Sequence, residues 1–125
     1  GDETRDFTYV LDLVQGLIKA AYYKDAIGKA FNLASGRETK IKELIEMIND
    51  TTGNNTPITT FPARKWDTKK RLLASIELAS KLIDYKPLTS FSDGLLSNMQ
   101  WFKNNWDQIE DAADFSIGMS SAIRK

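Results

Sequence analysis

The sequence contains no cysteine and no histidine. These absences exclude disulfide bonds, thiol chemistry and the Ser-His and Cys-His nucleophile pairs. A zinc site would need carboxylate ligands alone, which is unusual. No apolar run approaches the roughly 20 residues that a membrane-spanning helix needs, and no signal peptide is recognisable. We therefore expect a cytoplasmic protein, or a piece of one, with no metal site and no membrane partner.

Neither charge is in excess, because 17 Lys and Arg residues balance 17 Asp and Glu residues. A dedicated nucleic-acid binder usually has a basic excess, so we expect no nucleic-acid partner. One stretch is strongly charged: residues 64–71, RKWDTKKR, hold five basic residues, one Asp and one Trp. Such a stretch could bind nucleic acid, hold a phosphate ligand or form a solvated loop.

The 125 residues fit one domain, and an apolar content of 42% suffices for a modest core. Hydrophobic spacing predicts helices that alternate with short strands. The predicted helices cover residues 11–23, 41–52 and 76–83, with a last long helix from near Ser92 through Ile109; the predicted strands cover 6–10, 29–35, 57–61 and 71–74. This order predicts a mixed α/β fold with about four helices and short parallel strand pairs joined by right-handed crossovers.

Local signals refine the helix ends. Thr39 or Lys40 is expected at the start of the second helix, Gly53 at its end, and Ser75 as the N-cap of the third. Gly16 lowers the stability of the first helix by about 1 kcal/mol relative to Ala, so we expect it at a close packing contact. The strands are few and short, which favours one lobe of a larger protein.

Three segments resemble extended short-chain dehydrogenases that act on nucleotide sugars. TRDFTYVLDLVQGLIKA, residues 4–20, is similar to the family's Arg-Asp-Phe-x-x-Val-x-Asp segment. GKAFNLASGRETKIKELIEMI, residues 28–48, looks like the next block, and residues 63–102 look like the C-terminal block. Order and spacing agree over roughly residues 4–106, and the resemblance is strongest to the UDP-glucose 4-epimerase group.

Two features of that family are missing from the sequence: the Gly-rich dinucleotide turn and the catalytic Tyr-x-x-x-Lys pair. The resemblance therefore implies the C-terminal, substrate-binding portion, without a Rossmann lobe, catalytic residues or a cofactor of its own. It implies NAD, an N-terminal Rossmann lobe and a homodimer for the full-length parent. Residues 1–109 would form the substrate-binding subdomain, with residues 110–125 as a frayed tail. The chain should then expose apolar surface that the larger lobe normally covers.

The resemblance also implies the substrate-binding residues. Arg5 corresponds to an Arg that approaches the substrate diphosphate, and a planar guanidinium suits that contact; an ion pair with Asp6 or another surface acid is its alternative. Arg64 and Asp67 match an Arg-x-x-Asp pair that grips the nucleotide. Asn32 would bond either the ligand or neighbouring backbone. A UDP-sugar is the implied substrate.

Other activities on this scaffold stay open, such as a nucleotide-sugar 4,6-dehydratase or a decarboxylase. A different class is a non-enzymatic module that binds a phosphate-bearing partner through residues 64–71. Steep salt dependence with RNA or DNA would favour the module. Within this stretch, residues 69–71 are expected on a solvated face.

Overall fold

The computed structural model describes residues 1–62, 65 and 68–112. Within them the chain forms five α-helices, one 3-10 turn and a two-stranded sheet, which confirms the mixed α/β class. The strands are β1 (Thr4–Arg5) and β2 (Thr39–Lys40); the helices are α1 (Val10–Tyr22), α2 (Ile41–Thr52), α3 (Glu77–Ile83), α4 (Phe91–Asn104) and α5 (Trp106–Ala112); the 3-10 turn is Lys24–Ala26. The chain divides into two compact units, Gly1–Gly94 and Leu95–Lys125.

The sheet corrects the expected parallel strand pairs. β1 and β2 run antiparallel, with Thr4 opposite Lys40 and Arg5 opposite Thr39. Among the described residues, parallel pairing is confined to an isolated bridge between Thr4 and Arg71. The strands predicted at 6–10, 29–35 and 57–61 do not form, and the one predicted at 71–74 contributes only that bridge. β-branched and aromatic residues favour strands because their side chains pack well on a half-buried, pleated sheet surface. These short segments form no such surface, so their composition does not make them strands.

The core of the first unit lies where α1 packs on α3. Ala79, Ile83 and Tyr85 are fully buried there, and partly buried apolar side chains, including Leu33, pack around them. Gly16 belongs to this contact: a Cβ atom there would lie 2.8 Å from Leu33 Cδ2 and 2.9 Å from Tyr85 Cδ2. The expected close packing at Gly16 is confirmed.

The observed ends of α2 and α3 lie within one residue of the ends predicted from the sequence. α2 has Lys40, not Thr39, as its N-cap residue, and it ends at Gly53, whose φ of 69° is in the left-handed region. α3 starts at Glu77, one residue later than expected, so Ile76 takes the cap position. Ser75 still acts as a partner, because its hydroxyl accepts a hydrogen bond from the Glu77 N–H at 3.4 Å.

The predicted last helix is divided at Asn105 into α4 and α5. The Asn105 side chain donates to the Trp101 carbonyl oxygen at 2.8 Å, a local bond of the kind that competes with helical hydrogen bonding. α5 continues to Ala112, and residues 113–125, most of the predicted frayed tail, lie outside the described residues. Among the helices that the structure describes, none is long and apolar enough to cross a lipid bilayer.

Candidate functional site

β1 connects Arg5 to the end of the basic stretch. The Thr4 N–H donates to the Lys70 carbonyl oxygen at 2.9 Å, and the Leu72 N–H donates to the Thr4 carbonyl oxygen at 3.2 Å. The antiparallel pairing with β2 uses the same short strand. Arg5 is half-buried, and its Nη1 donates to the Thr4 carbonyl oxygen at 2.8 Å. The structure thus places two cationic elements, distant in sequence, on neighbouring backbone.

The predicted nucleotide clamp, the pair Arg64 and Asp67, belongs to a stretch of which the structure describes only part. Arg64 and Asp67 lie outside the described residues, so their substrate contacts stay predictions. Lys65 and residues 68–71 of the same stretch are described and exposed. The backbone bonds of Lys70 and Leu72 to Thr4 show where this stretch rejoins the first unit.

Asn32 uses its amide group within the fold. Its Nδ2 donates to the Ser75 carbonyl oxygen at 3.3 Å, which is the neighbouring-backbone alternative that the sequence leaves open. The side chain is exposed, and its predicted contact with substrate stays a prediction.

An ion pair beside β1 was not predicted, because Arg71 was expected on a solvated face. Arg71 Nε and Nη2 donate to the two oxygens of Glu38 at 2.8 and 2.7 Å, and the Thr4 hydroxyl donates to Glu38 Oε1 at 2.6 Å. The hydrogen bonds from Arg71, then the one from Thr4, lower the pKa of Glu38 to about 2. The anion is therefore fully formed at neutral pH and joins β1, the loop before β2 and the end of the basic stretch.

Asp6 was considered from the sequence only as a possible ion-pair partner of Arg5, and its hydrogen bonds to distant parts of the chain were not predicted. Its Oδ1 accepts from the Ser35 N–H at 2.9 Å and the Ser35 hydroxyl at 2.5 Å, and its Oδ2 accepts from the N–H groups of Gly36 at 3.1 Å and Ala74 at 3.4 Å. The signal for it was its place in the Arg-Asp-Phe segment, directly after Arg5.

Asp12 and Tyr85 are buried polar groups with internal partners. Asp12 is 6% exposed, and its carboxylate accepts from the N–H groups of Leu88 at 3.2 Å and Thr89 at 3.0 Å. The Tyr85 hydroxyl donates to the Ala34 carbonyl oxygen at 3.1 Å. Burial, and secondarily the charges of Asp12 and Asp6, raise the pKa of Tyr85. Tyr85 therefore serves as a structural hydrogen-bond donor.

Solved structures with the same fold define the class of protein. An epimerase of Methanothermobacter thermautotrophicus matches 92% of this chain and 34% of its own, with a TM-score of 0.87 and 44% identity. The enzyme WbmF of Bordetella bronchiseptica, solved with NAD+ and UDP, matches 89% of this chain and 32% of its own, with a TM-score of 0.73 and 39% identity. No family model matches the chain.

Curated proteins of similar sequence act on UDP-sugars, according to their names. A UDP-glucose 4-epimerase of Lacticaseibacillus casei is 32% identical over 114 residues, which cover 89% of this chain and 34% of the relative. UDP-glucuronic acid decarboxylase 1 of Xenopus tropicalis is 28% identical over 103 residues, covering 82% of this chain and 24% of that protein. The chain belongs to the UDP-glucose 4-epimerase-like NAD-dependent epimerases, as its sequence predicts, and corresponds to a C-terminal portion of them. It spans about a third or less of the length of these relatives.

Proposed function

We propose that this chain is the substrate-binding portion of an NAD-dependent nucleotide-sugar epimerase, and that a UDP-sugar is the substrate. The structural neighbours support this proposal, since one was solved with NAD+ and UDP. In the whole protein, NAD bound to a separate lobe would supply the hydride chemistry, and a Tyr/Lys pair of that lobe would transfer the proton. This chain contributes binding and orientation and no catalytic residue.

The observation that carries the proposal is the bonding of Thr4 to Lys70 and Leu72. It places the strand of Arg5 against the end of the basic stretch. A diphosphate carries charge on several oxygens, so it is best held by cationic groups that approach from two directions. We assign Arg5 and Arg64 to the diphosphate, Asp67 to a ribose hydroxyl, and Asn32 to the nearby edge of the ligand.

Holding the nucleotide in this way would orient the sugar for reaction. Once the sugar is bound in the right orientation, its reaction with the catalytic groups is effectively unimolecular. The translational and rotational entropy has already been lost on binding, which can supply a large part of the barrier reduction. The binding free energy would come from the nucleotide, which itself does not react. Loss of a clamp residue is therefore expected to affect substrate binding first.

The partner of this chain is proposed from the exposed face of α1. Val10, Leu11, Val14, Leu17 and Ile18 recur at helical spacing, and each is 40 to 61% exposed. We call this face the α1 stripe. Contiguous apolar surface of this kind marks an interface. Because the relatives are about three times as long as this chain, we propose that their remaining lobe covers the α1 stripe, and that the parent is a homodimer.

A second candidate is a UDP-sugar decarboxylase, favoured by the match to the Xenopus tropicalis decarboxylase; a nucleotide-sugar 4,6-dehydratase on the same scaffold stays an alternative. The decarboxylase would use the same nucleotide site, since the relative's name also specifies a UDP-sugar. The third candidate, a non-enzymatic phosphate-binding module, would use residues 64–71 without preference for the uridine base.

Titration of the purified chain with UDP tests the proposal. Two or three charge-assisted hydrogen bonds of about 1.5–3 kcal/mol each, reduced by ordering costs, predict a Kd on the order of 1 mM. Arg5→Ala should weaken binding about tenfold, equivalent to the loss of one such bond. Arg37→Ala, at an exposed Arg before β2, is the matched control and should bind like wild type. Salt-steep binding of single-stranded RNA without UDP binding would instead support the module.

A further inference from the structure

The carboxylate of Asp6 joins three separated parts of the chain. Four donors point at its two oxygens: the N–H and hydroxyl of Ser35 at Oδ1, and the N–H groups of Gly36 and Ala74 at Oδ2. Hydrogen bonds to an ionised carboxylate are stronger than neutral ones. Asp6 is half-buried, which limits competition from water.

The segments that Asp6 holds are the ones that flank β1. Ser35 and Gly36 lead into β2, which pairs with Thr4 and Arg5 on one side. Ala74 follows Leu72, whose N–H bonds the Thr4 carbonyl oxygen on the other side. A single carboxylate therefore fixes the neighbours of Arg5 on both sides.

We propose that Asp6 is a positioning residue for the diphosphate site: it fixes the strand of Arg5 between β2 and the end of the basic stretch. This inference rests on the proposed function, in which Arg5 contacts the diphosphate. Asp6 itself touches no substrate in this account, since its oxygens are occupied by four internal donors.

The loss of the Asp6 charge and the loss of its hydrogen bonds predict opposite effects of Asp6→Asn on UDP binding. Removing a negative charge next to Arg5 should by itself favour UDP. Yet Asn has one acceptor oxygen, and in either amide orientation its NH2 group faces two of the four donors. Those two donors lose their acceptor, so the segment that carries them is held less firmly beside β1 and the position of Arg5 is less well fixed. If Asp6 positions Arg5, the variant should bind UDP about tenfold more weakly, comparable to Arg5→Ala.

The matched control is Asp12→Asn. Asp12 also holds a loop through backbone N–H groups, those of Leu88 and Thr89, and no hydrogen bond joins these residues to β1 within the described structure. Both variants should lose stability, but only Asp6→Asn should lose UDP affinity, measured at a temperature where both are folded. Equal or tighter UDP binding by folded Asp6→Asn would overturn the proposal. If Asp6→Asn does not fold, Ser35→Ala is tested in its place, because this variant removes one of the four donors to Asp6. It should weaken UDP binding about threefold. Unchanged UDP binding by Ser35→Ala would overturn the proposal.

A ligand-free measurement separates this inference from the proposed function. If wild type binds no UDP, the proposed function fails, and hydrogen exchange at the amides of Thr4 and Leu72 then tests Asp6. Loss of their protection in Asp6→Asn, with protection kept in Asp12→Asn, would support the positioning role. Unchanged protection in Asp6→Asn would refute it.

Discussion

Gly16 shows how one missing side chain allows α1 to approach the core. A Cβ atom at this position would lie under 3 Å from Leu33 and from the fully buried Tyr85. We expect Gly16→Ala to lower the free energy of unfolding by about 1 kcal/mol, because overpacking of about 1–3 kcal/mol outweighs the gain in helix propensity of about 1 kcal/mol. Urea unfolding would measure this. Gly94→Ala is the control. A Cβ atom at Gly94 would come no closer than 3.2 Å to a neighbouring atom, Tyr9 Cδ2, so this variant should lose less unfolding free energy. A more stable Gly16→Ala would contradict the packing.

Glu38 gives a pH dependence with a defined sign. Its pKa falls from 4.5 in the unfolded chain to about 2 in the folded one. A carboxyl group with a lowered folded pKa contributes stability above its unfolded pKa, and that contribution disappears as pH falls from about 4.5 through 2. NMR titration of the Glu38 carboxyl carbon should show the low midpoint, and Glu38→Gln should flatten the stability profile in that window. A midpoint near 4.5 would show that Arg71 does not hold the carboxylate.

Single residues divide into those that a pattern can reveal and those that it cannot. Gly16 was predictable because glycine is costly inside a helix and needs a reason to be there. The roles of Asp6 and Glu38 were not, because their partners are backbone groups and side chains 29 to 68 residues away. Arg64 and Asp67 came from the family resemblance and stay predictions.

The helices and the strands differ in how far sequence specifies them. The spacing of apolar residues predicted both ends of α1, α2 and α3 to within one residue of the observed ends. This is possible because each helix is stabilised by its own hydrogen bonds and by one apolar face. Strand pairing depends on distant partners, and most predicted strands do not form. The segments of Ser35, Gly36 and Ala74 are bonded to the Asp6 carboxylate instead of to a β-ladder.

The segment before α4 depends on Asp12 on α1. Asp12→Ala would remove the acceptor of two part-buried hydrogen bonds, those from the N–H groups of Leu88 and Thr89, so we expect a loss of about 2 kcal/mol in the free energy of unfolding. Thermal or urea unfolding would detect it, together with faster hydrogen exchange at those two amides. Asp93→Ala on α4, an exposed position, is the comparison and should cost less. Equal losses in both variants would argue against a special role for Asp12.

At the scale of the whole molecule, the α1 stripe predicts association. Leu17 is 56% exposed in the middle of the stripe, so Leu17→Ser should change the unfolding free energy by less than about 0.5 kcal/mol. The variant should bind less of a hydrophobic dye and self-associate less than wild type in analytical ultracentrifugation. A large loss of stability would mean that Leu17 is packed against the chain itself.

The central claim is that residues 64–67 and Arg5 hold a nucleotide diphosphate. Residue-resolved NMR titration with millimolar UDP tests it most directly, with Arg64→Ala compared with Lys65→Ala, its neighbour in the same basic stretch. We predict shifts at Arg5, Asn32 and residues 64–67 in wild type and Lys65→Ala, and their loss in Arg64→Ala. Shifts elsewhere, or equal effects of the two substitutions, would contradict the account.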